Sequence, residues 1–365
     1  MAKASSNPFL AAFQKDLSGV DGVGTSSQPP RYWYGFGNYV LNKVMSGSFF
    51  KGVPQGRITS IAGSSGAGKS FVAANLVKAA QDAGAMILIV DSENALDDDF
   101  MGKIGVDVER EDYFYAAVTT IPQVTKVISS FLKNYKKEYG TAEDAPQAFI
   151  LIDSLDMLLT ETEQEHYEKG NQKGDQGQRN KQLKQMLRTF VQDIKVLNVT
   201  LVFTSQVYKN QDVTNGEGLW IVSDAVKYSA SQILLVSKLK LKEDSEVVGI
   251  RMKCEGYKTR FTQPFQTVTV EVPYTTGMDP TSGLKDVAVA LGVLEKRGSR
   301  LAFTGSDETF FEKDMGKYVE DILVKCEAAG TDSRLKIVDG EVDAADFEAD
   351  GSAKSRRQAK VAGEA

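Results

Sequence analysis

The chain has 365 residues, 42% apolar and 25% charged, enough for a sizeable core in one large α/β domain with appendages or in two ordinary domains. A formal net charge of -6 excludes a surface that is basic everywhere, though not a local cationic patch for nucleic acid. The single histidine, His166, excludes a His-based metal site, and the distant cysteines Cys254 and Cys326 show no metal-type spacing. They read as free thiols of a cytoplasmic protein. The apolar run at 85–90 is far too short to span a bilayer, and Asn7, Gln14, Lys15 and Asp16 interrupt any signal-peptide core. No membrane partner is expected.

In chain order, Asn7-Pro8 opens a short helix whose Phe9, Leu10, Phe13 and Leu17 share one face. Residues 18–30 form a Gly/Ser/Pro linker. A small apolar helix on a linker must dock, and composition leaves its own domain and a neighbouring subunit equally open. A helix is expected near Val40–Met45. The run Arg57–Ala62 is strand-like, and Phe71–Ala83 is helical. Between them stands Gly63-Ser64-Ser65-Gly66-Ala67-Gly68-Lys69-Ser70, the P-loop pattern G-x-x-x-x-G-K-[ST]. Its glycines let successive N–H groups cradle phosphates; Lys69 reaches the β and γ phosphates, and Ser70 offers a hydroxyl to Mg²⁺.

Further strands are expected at Met86–Val90, Tyr113–Ala117, Phe149–Ile152 and Val199–Thr204, with helices around Asp97–Ile104, Gln123–Lys137 and Lys181–Leu197. Continuous apolar strands between helices suit a mostly parallel sheet covered on both faces. Residues 160–180 and 207–224 read as long polar loops, too long to be idle connectors. From Ser231 the strands Ile233–Leu241, Val247–Lys253 and Thr267–Val272 lack intervening helices and read as an antiparallel extension. Helices near Gly283–Leu291 and Gly316–Ala328 follow. The division expected is 1–34 (helix and linker), 35–300 (ATPase core), 301–330 (small helical region) and 331–365 (disordered tail, acidic then basic).

Ligands of an open parallel sheet bind beyond the carboxyl ends of its strands. Asp153 ends an apolar strand in the Walker B manner and is the second Mg²⁺ ligand expected. Glu93, at the end of the strand taken to lie beside the P-loop strand, would activate or orient the attacking water. Helix capping is its simpler alternative. Gln206 would sense the γ phosphate and pass that state to its loop; a solvated strand-end glutamine is its equal alternative on the residues alone. For single-stranded DNA the cations and glycines of the two loops stand out, with one aromatic: Lys169, Lys173, Arg179, Lys209, Gly216, Gly218, Trp220 and Lys227. Glu161, Glu163, Glu165, Glu168 and Asp175 dilute that signal.

Over about residues 35–300 these motifs resemble the RecA-type homologous-recombination proteins, and look most like the UvsX-type phage recombinases. The resemblance lies in Asp91-Ser92-Glu93-Asn94-Ala95-Leu96-Asp97, Ile152-Asp153-Ser154-Leu155, Phe203-Thr204-Ser205-Gln206, Ala225–Ser231, and Lys258-Thr259-Arg260 before Pro264-Phe265. It implies a RecA-type fold and an ATP- and Mg²⁺-dependent helical filament on single-stranded DNA that pairs it with duplex DNA. ATP would lie between subunits, with Lys258 and Arg260 reaching the neighbour's nucleotide and Asp97 and Phe100 near the adenosine. The resemblance also favours docking of the N-terminal helix on the next subunit. Single-strand-binding and loader proteins are further partners it implies, in a host cytoplasm for a phage-encoded chain. The trans pair is Lys and Arg here, where bacterial proteins have two lysines.

Two other classes share these motifs. A RecA-fold motor such as a ring helicase would carry a larger N-terminal domain than the 35 or so residues here. An ATP-gated mediator filament would not need Glu93. A GTPase is disfavoured, since no N-K-x-D motif is present.

Overall fold

The computed structural model describes residues 7–17, 29–171, 177–210, 220–243 and 245–329. The tail expected at 331–365 lies outside them, as do Lys173, Gly216 and Gly218. Residues 1–32 and 33–365 are two separate units. In the first, helix α1 (Pro8–Asp16) is capped by the Asn7 side chain, which accepts from Phe9 N at 3.0 Å. Phe9 and Phe13 stack one turn apart and are 71% and 50% exposed, so among the described residues of its unit this apolar stripe has no cover.

The second unit opens with strand β1 (Trp33–Tyr34), which pairs with β2 (Val53–Pro54) around helix α2 (Tyr39–Ser46). The main chain of the fold then alternates: β3 (Ile58–Gly63), α3 (Lys69–Asp82), β4 (Met86–Asp91), α4 (Asp98–Ile104), β5 (Tyr113–Ala117), α5 (Ile121–Tyr139) and β6 (Ala148–Asp153). After α6 (Glu161–Glu168) and α7 (Gln178–Ile194) come β7 (Val199–Ser205), the short pair β8 (Tyr208–Lys209) and β9 (Trp220–Ile221), and α8 (Asp224–Ser229). The long strands β10 (Gln232–Glu243), β11 (Glu246–Lys258) and β12 (Thr267–Pro273) complete an eight-stranded sheet of order β12-β11-β10-β3-β7-β6-β4-β5.

The sheet is parallel from β10 to β5 and antiparallel from β10 to β12. β10 therefore belongs to both halves, and the antiparallel extension begins one strand later than the helix-free pattern suggests. Alternate side chains serve opposite faces. Leu88, Val90, Ile150, Ile152, Leu201 and Phe203 pack under α5 and α7. Their neighbours Ile87, Ile89, Phe149, Leu151 and Val202 are as fully buried, toward the face that α3 covers. Both faces are dry, which is why these strands read as unbroken apolar runs. α5 starts at a capping box, Thr120 with Gln123, and buries Val124, Ile128, Leu132 and Tyr135 at helical spacing.

Two regions differ from the sequence reading. The segment 160–180 is not one loop: Thr160 and Glu163 form a second capping box, which starts α6, and α7 begins three residues earlier than expected. The span 207–224 likewise contains a short antiparallel strand pair, with Lys209 opposite Trp220. Beyond α9 (Leu284–Ala290) the chain makes a three-stranded antiparallel sheet, β13 (Leu294–Arg297), β14 (Arg300–Phe303) and β15 (Thr309–Phe311), before α10 (Val319–Ala329). The region expected to be helical is thus half sheet, and residue 300 falls inside a hairpin rather than between domains. Glu327 of α10 anchors this region by accepting from Phe49 N at 3.0 Å. Among the described residues no helix is long and apolar enough to cross a membrane, and both cysteines are free and buried.

Candidate active site

β3 delivers the chain into the phosphate loop beside β10. A Cβ on Gly63 would stand 2.4 Å from the Val236 carbonyl oxygen, so only glycine allows this closeness. Ser64, Ser65 and Gly66 form an exposed arc; Ala67 turns inward and its N–H donates to Ser64 O at 3.2 Å. Gly68 has φ 98°, and a Cβ there would meet Met252 Sδ at 2.9 Å. Gly68 is also the N-cap of α3 and offers no side chain, which leaves the first-turn N–H groups for phosphate oxygens. Lys69 Nζ donates to the loop carbonyls of Gly63 and Ser64, at 3.2 and 3.0 Å. Burial lowers its pKa, against the opposing pull of Glu93, Asp153 and Asp156.

Asp153 ends β6 at the same end of the sheet. The Thr204 hydroxyl donates to its Oδ1, while its buried Oδ2 has no hydrogen-bond partner. Burial, chiefly, raises its pKa; the hydrogen bond from Thr204 and the nearby Ser70 hydroxyl oppose this, and Glu93 and Asp91 add to it. A buried carboxylate oxygen without a donor, beside the Ser70 hydroxyl, fits a Mg²⁺ ion that takes one or two protein oxygens and completes its shell with phosphate and water. Ionised Asp153 therefore opposes folding at every pH above its ordinary titration range, fully so above its raised pKa, and this penalty fades as pH falls through that pKa. Asp153→Asn is expected to raise the thermal midpoint at neutral pH without Mg²⁺, and to lower Mg²⁺-dependent ATP turnover by about 10²-fold or more. A lowered midpoint together with full turnover would remove Asp153 from the metal site.

β4 is not adjacent to β3. β7 and β6 lie between them, so the expected position of Glu93 beside the P-loop strand is corrected. Glu93 is nevertheless brought in by a stitched crossing of the β4 and β6 ends. Ser92 N donates to Asp153 O at 2.7 Å, Ser92 Oγ to Ser154 O at 2.8 Å, and the Ser154 hydroxyl to Glu93 Oε1. Buried Asp91 sets the turn, its two oxygens accepting from Glu93 N and Leu96 N at 2.9 Å each, and from Tyr115 Oη at 3.0 Å. Sequence reasoning passed over Asp91; an aspartate followed by a polar turn at a strand end is the signal for such a side-chain–backbone bridge. Helix capping falls to Asp97, which accepts from Phe100 N at 2.8 Å. Glu93 is therefore exposed and free of that duty.

Gln206 follows β7, and its N–H donates to Asp156 Oδ2 at 2.6 Å. Lys258 and Arg260 are not brought to this site. Lys258 pairs with Ile233, which is level with Ser60. Arg260 lines a cavity of about 310 Å³ with Gly56 and Arg57, at the start of β3. At about 3.3 Å per strand residue, the start of β3 is roughly 20 Å from the phosphate loop at Gly63. The same cavity is lined by Lys184, Arg188 and Lys195, and among the described residues by no carboxylate. Lys258 Nζ donates to Lys227 O at 2.5 Å; burial first, then Arg260 and Lys227, push its pKa down. Of the residues expected to touch DNA, Lys169 is exposed and pairs with Glu165 at 3.4 Å. Lys209 is exposed on β8, and Trp220 and Lys227 are half-buried. Arg179 turns inward, donating through Nε to Leu158 O at 3.0 Å.

Residues 35–279 match the RecA N-terminal domain family. The protein RecA of Thermus aquaticus is 30% identical over 263 residues, covering 69% of this chain and 71% of that one. The RecA of Pseudomonas savastanoi pv. phaseolicola is 28% identical over 296 residues, 80% of this chain and 79% of its own. With that family's match running from the first aromatic turn through the P-loop, Glu93, Asp153 and the β10–β12 extension, the chain belongs to the RecA family.

Proposed function

We propose that this chain is a DNA-dependent ATPase and recombinase that forms a filament on single-stranded DNA, pairs it with a homologous duplex, and binds ATP between adjacent subunits. One observation carries the shared site. Lys69, Ser70, Glu93 and Asp153 converge at one end of the sheet, while the crowded cations Lys258 and Arg260 lie toward the other end, beside a cavity lined by cations. A half-buried lysine whose neighbours are cations is relieved by an anion brought from outside. The phosphates of a neighbour's ATP are such an anion.

In this reading the P-loop amides and Lys69 hold the phosphates of substrate ATP, and Asp97 and Phe100 lie toward its adenosine. Glu93, aimed by Ser154, orients and deprotonates the water that attacks the γ phosphorus. Mg²⁺, held by Ser70 and Asp153, would supply charge neutralisation on the β and γ phosphates. The neighbour's Lys258-type and Arg260-type cations meet the charge that develops as the phosphoryl group departs. The exposed Phe9–Phe13 stripe of α1 suits docking on the next subunit; deleting residues 1–17 is expected to abolish concentration-dependent assembly seen by light scattering, and unchanged assembly would refute that docking. The finer placement among UvsX-type phage recombinases rests on the segments that resemble them; the Lys–Arg pair is a departure from the bacterial pattern. Arg260→Lys, the bacterial pairing, is expected to lower turnover because a guanidinium fork is lost. Full activity would remove that distinction. The test of the main reading is stimulation of ATP hydrolysis by single-stranded DNA.

A further inference from the structure

We infer that Asp156 is a positioning residue that joins the nucleotide-facing end of the sheet to both segments assigned to DNA, an inference that rests on the DNA-dependent ATPase reading. Asp156 stands in the single helical turn that follows the Walker B strand, and its side chain is 9% exposed. One oxygen accepts from Gln206 N at 2.6 Å; the other accepts from Tyr208 Oη at 2.8 Å and lies 3.8 Å from Arg179 Nη2. Gln206 follows β7, Tyr208 opens β8, and Arg179 stands in the first turn of α7. A single carboxylate thus ties the stretch running from β7 into β8 to the start of α7.

Asp156 also lies within electrostatic reach of Lys69. Burial, with the charge of Asp156 and its hydrogen bond, holds the Tyr208 phenol protonated, its pKa pushed up to about 12. It remains a donor throughout the neutral range. None of these contacts is to a substrate atom. A change at the γ phosphate that draws in the Gln206 side chain must shift the Gln206 N–H against Asp156, and the same oxygens then carry that shift to Tyr208 and Arg179. Coupling of this kind requires a physical element that both sites bias, and the carboxylate is that element.

The experiment compares the affinity of the full chain for a fluorescent oligonucleotide with a non-hydrolysable ATP analogue and with ADP. The variants are Tyr208→Phe, Asp156→Ala and the double variant, with thermal melting recorded for each. The wild type should bind more tightly with the ATP analogue. Each single variant should shrink that ratio by about tenfold, the scale of a hydrogen bond to a charged group. The double variant should fall no further than Asp156→Ala, since both act through one contact. A merely structural role would weaken binding equally with both nucleotides and leave the ratio unchanged, which would overturn the inference, as would additive losses. If Asp156→Ala does not fold, Tyr208→Phe decides, because it deletes one hydroxyl. A wild type that ignores the nucleotide would sink the ATPase–DNA reading as well; a normal wild-type ratio with unchanged variants would sink this inference alone.

Discussion

Lys69→Ala is expected to lower ATP turnover by about 10²–10³-fold or more, the loss that follows when one preorganised donor to developing charge is removed. The geometry makes this a clean deletion. Lys69 Nζ rests on two loop carbonyls rather than on a carboxylate, and the Ser64 contact is exposed, so its removal breaks no direct ion pair among the described residues. Lys69 is also the P-loop's own cation facing Glu93, Asp153 and Asp156. Without it these carboxylates would repel the phosphates that Mg²⁺ must bridge. Phosphate release measured beside a thermal melt checks the claim. An intact fold with wild-type turnover would contradict the phosphate-loop assignment.

The second large effect concerns a site divided between subunits. Lys258→Ala with Arg260→Ala, and separately Glu93→Gln, should each reduce turnover by about 10²-fold or more. Lys258 and Arg260 are remote from the phosphate loop of their own chain, by the register of β11, β10 and β3. Mixing the two inactive proteins at equal amounts should restore about a quarter of the sites, because random neighbours place an intact Glu93 against an intact Lys258–Arg260 pair that often. A mixture as inactive as its parts would remove the trans arrangement and leave the phosphate loop untouched.

How far the sequence could be read is clearest at Glu93. Its identity, its strand end and its acidic turn were legible, because Asp91-Ser92-Glu93 closes an apolar run. Its position in the sheet was not. Local pattern fixes strand and helix, but which parallel strands pair depends on crossovers and on packing between distant segments. Hence β7 and β6 intervene where adjacency to β3 was expected. The P-loop was fully legible, since its backbone requirements are written in Gly63 and Gly68 themselves. α6 was hidden by its glutamates and by the glycines that follow it, although Thr160 and Glu163 spell a helix start. The β13–β15 sheet escaped notice because three- and four-residue strands carry too few alternations to register. Asp156 was invisible for another reason: a lone aspartate after Walker B becomes informative only when folding brings Gln206, Tyr208 and Arg179 to it.

The measurement that tests the central claim most directly is ATP hydrolysis with and without single-stranded DNA across a range of protein concentrations. A nucleotide site completed by the next subunit on DNA predicts strong stimulation by DNA, rising cooperatively with protein concentration and lost in Lys69→Ala. Hydrolysis indifferent to both DNA and protein concentration would contradict the shared-site recombinase and leave a RecA-family ATPase serving another partner.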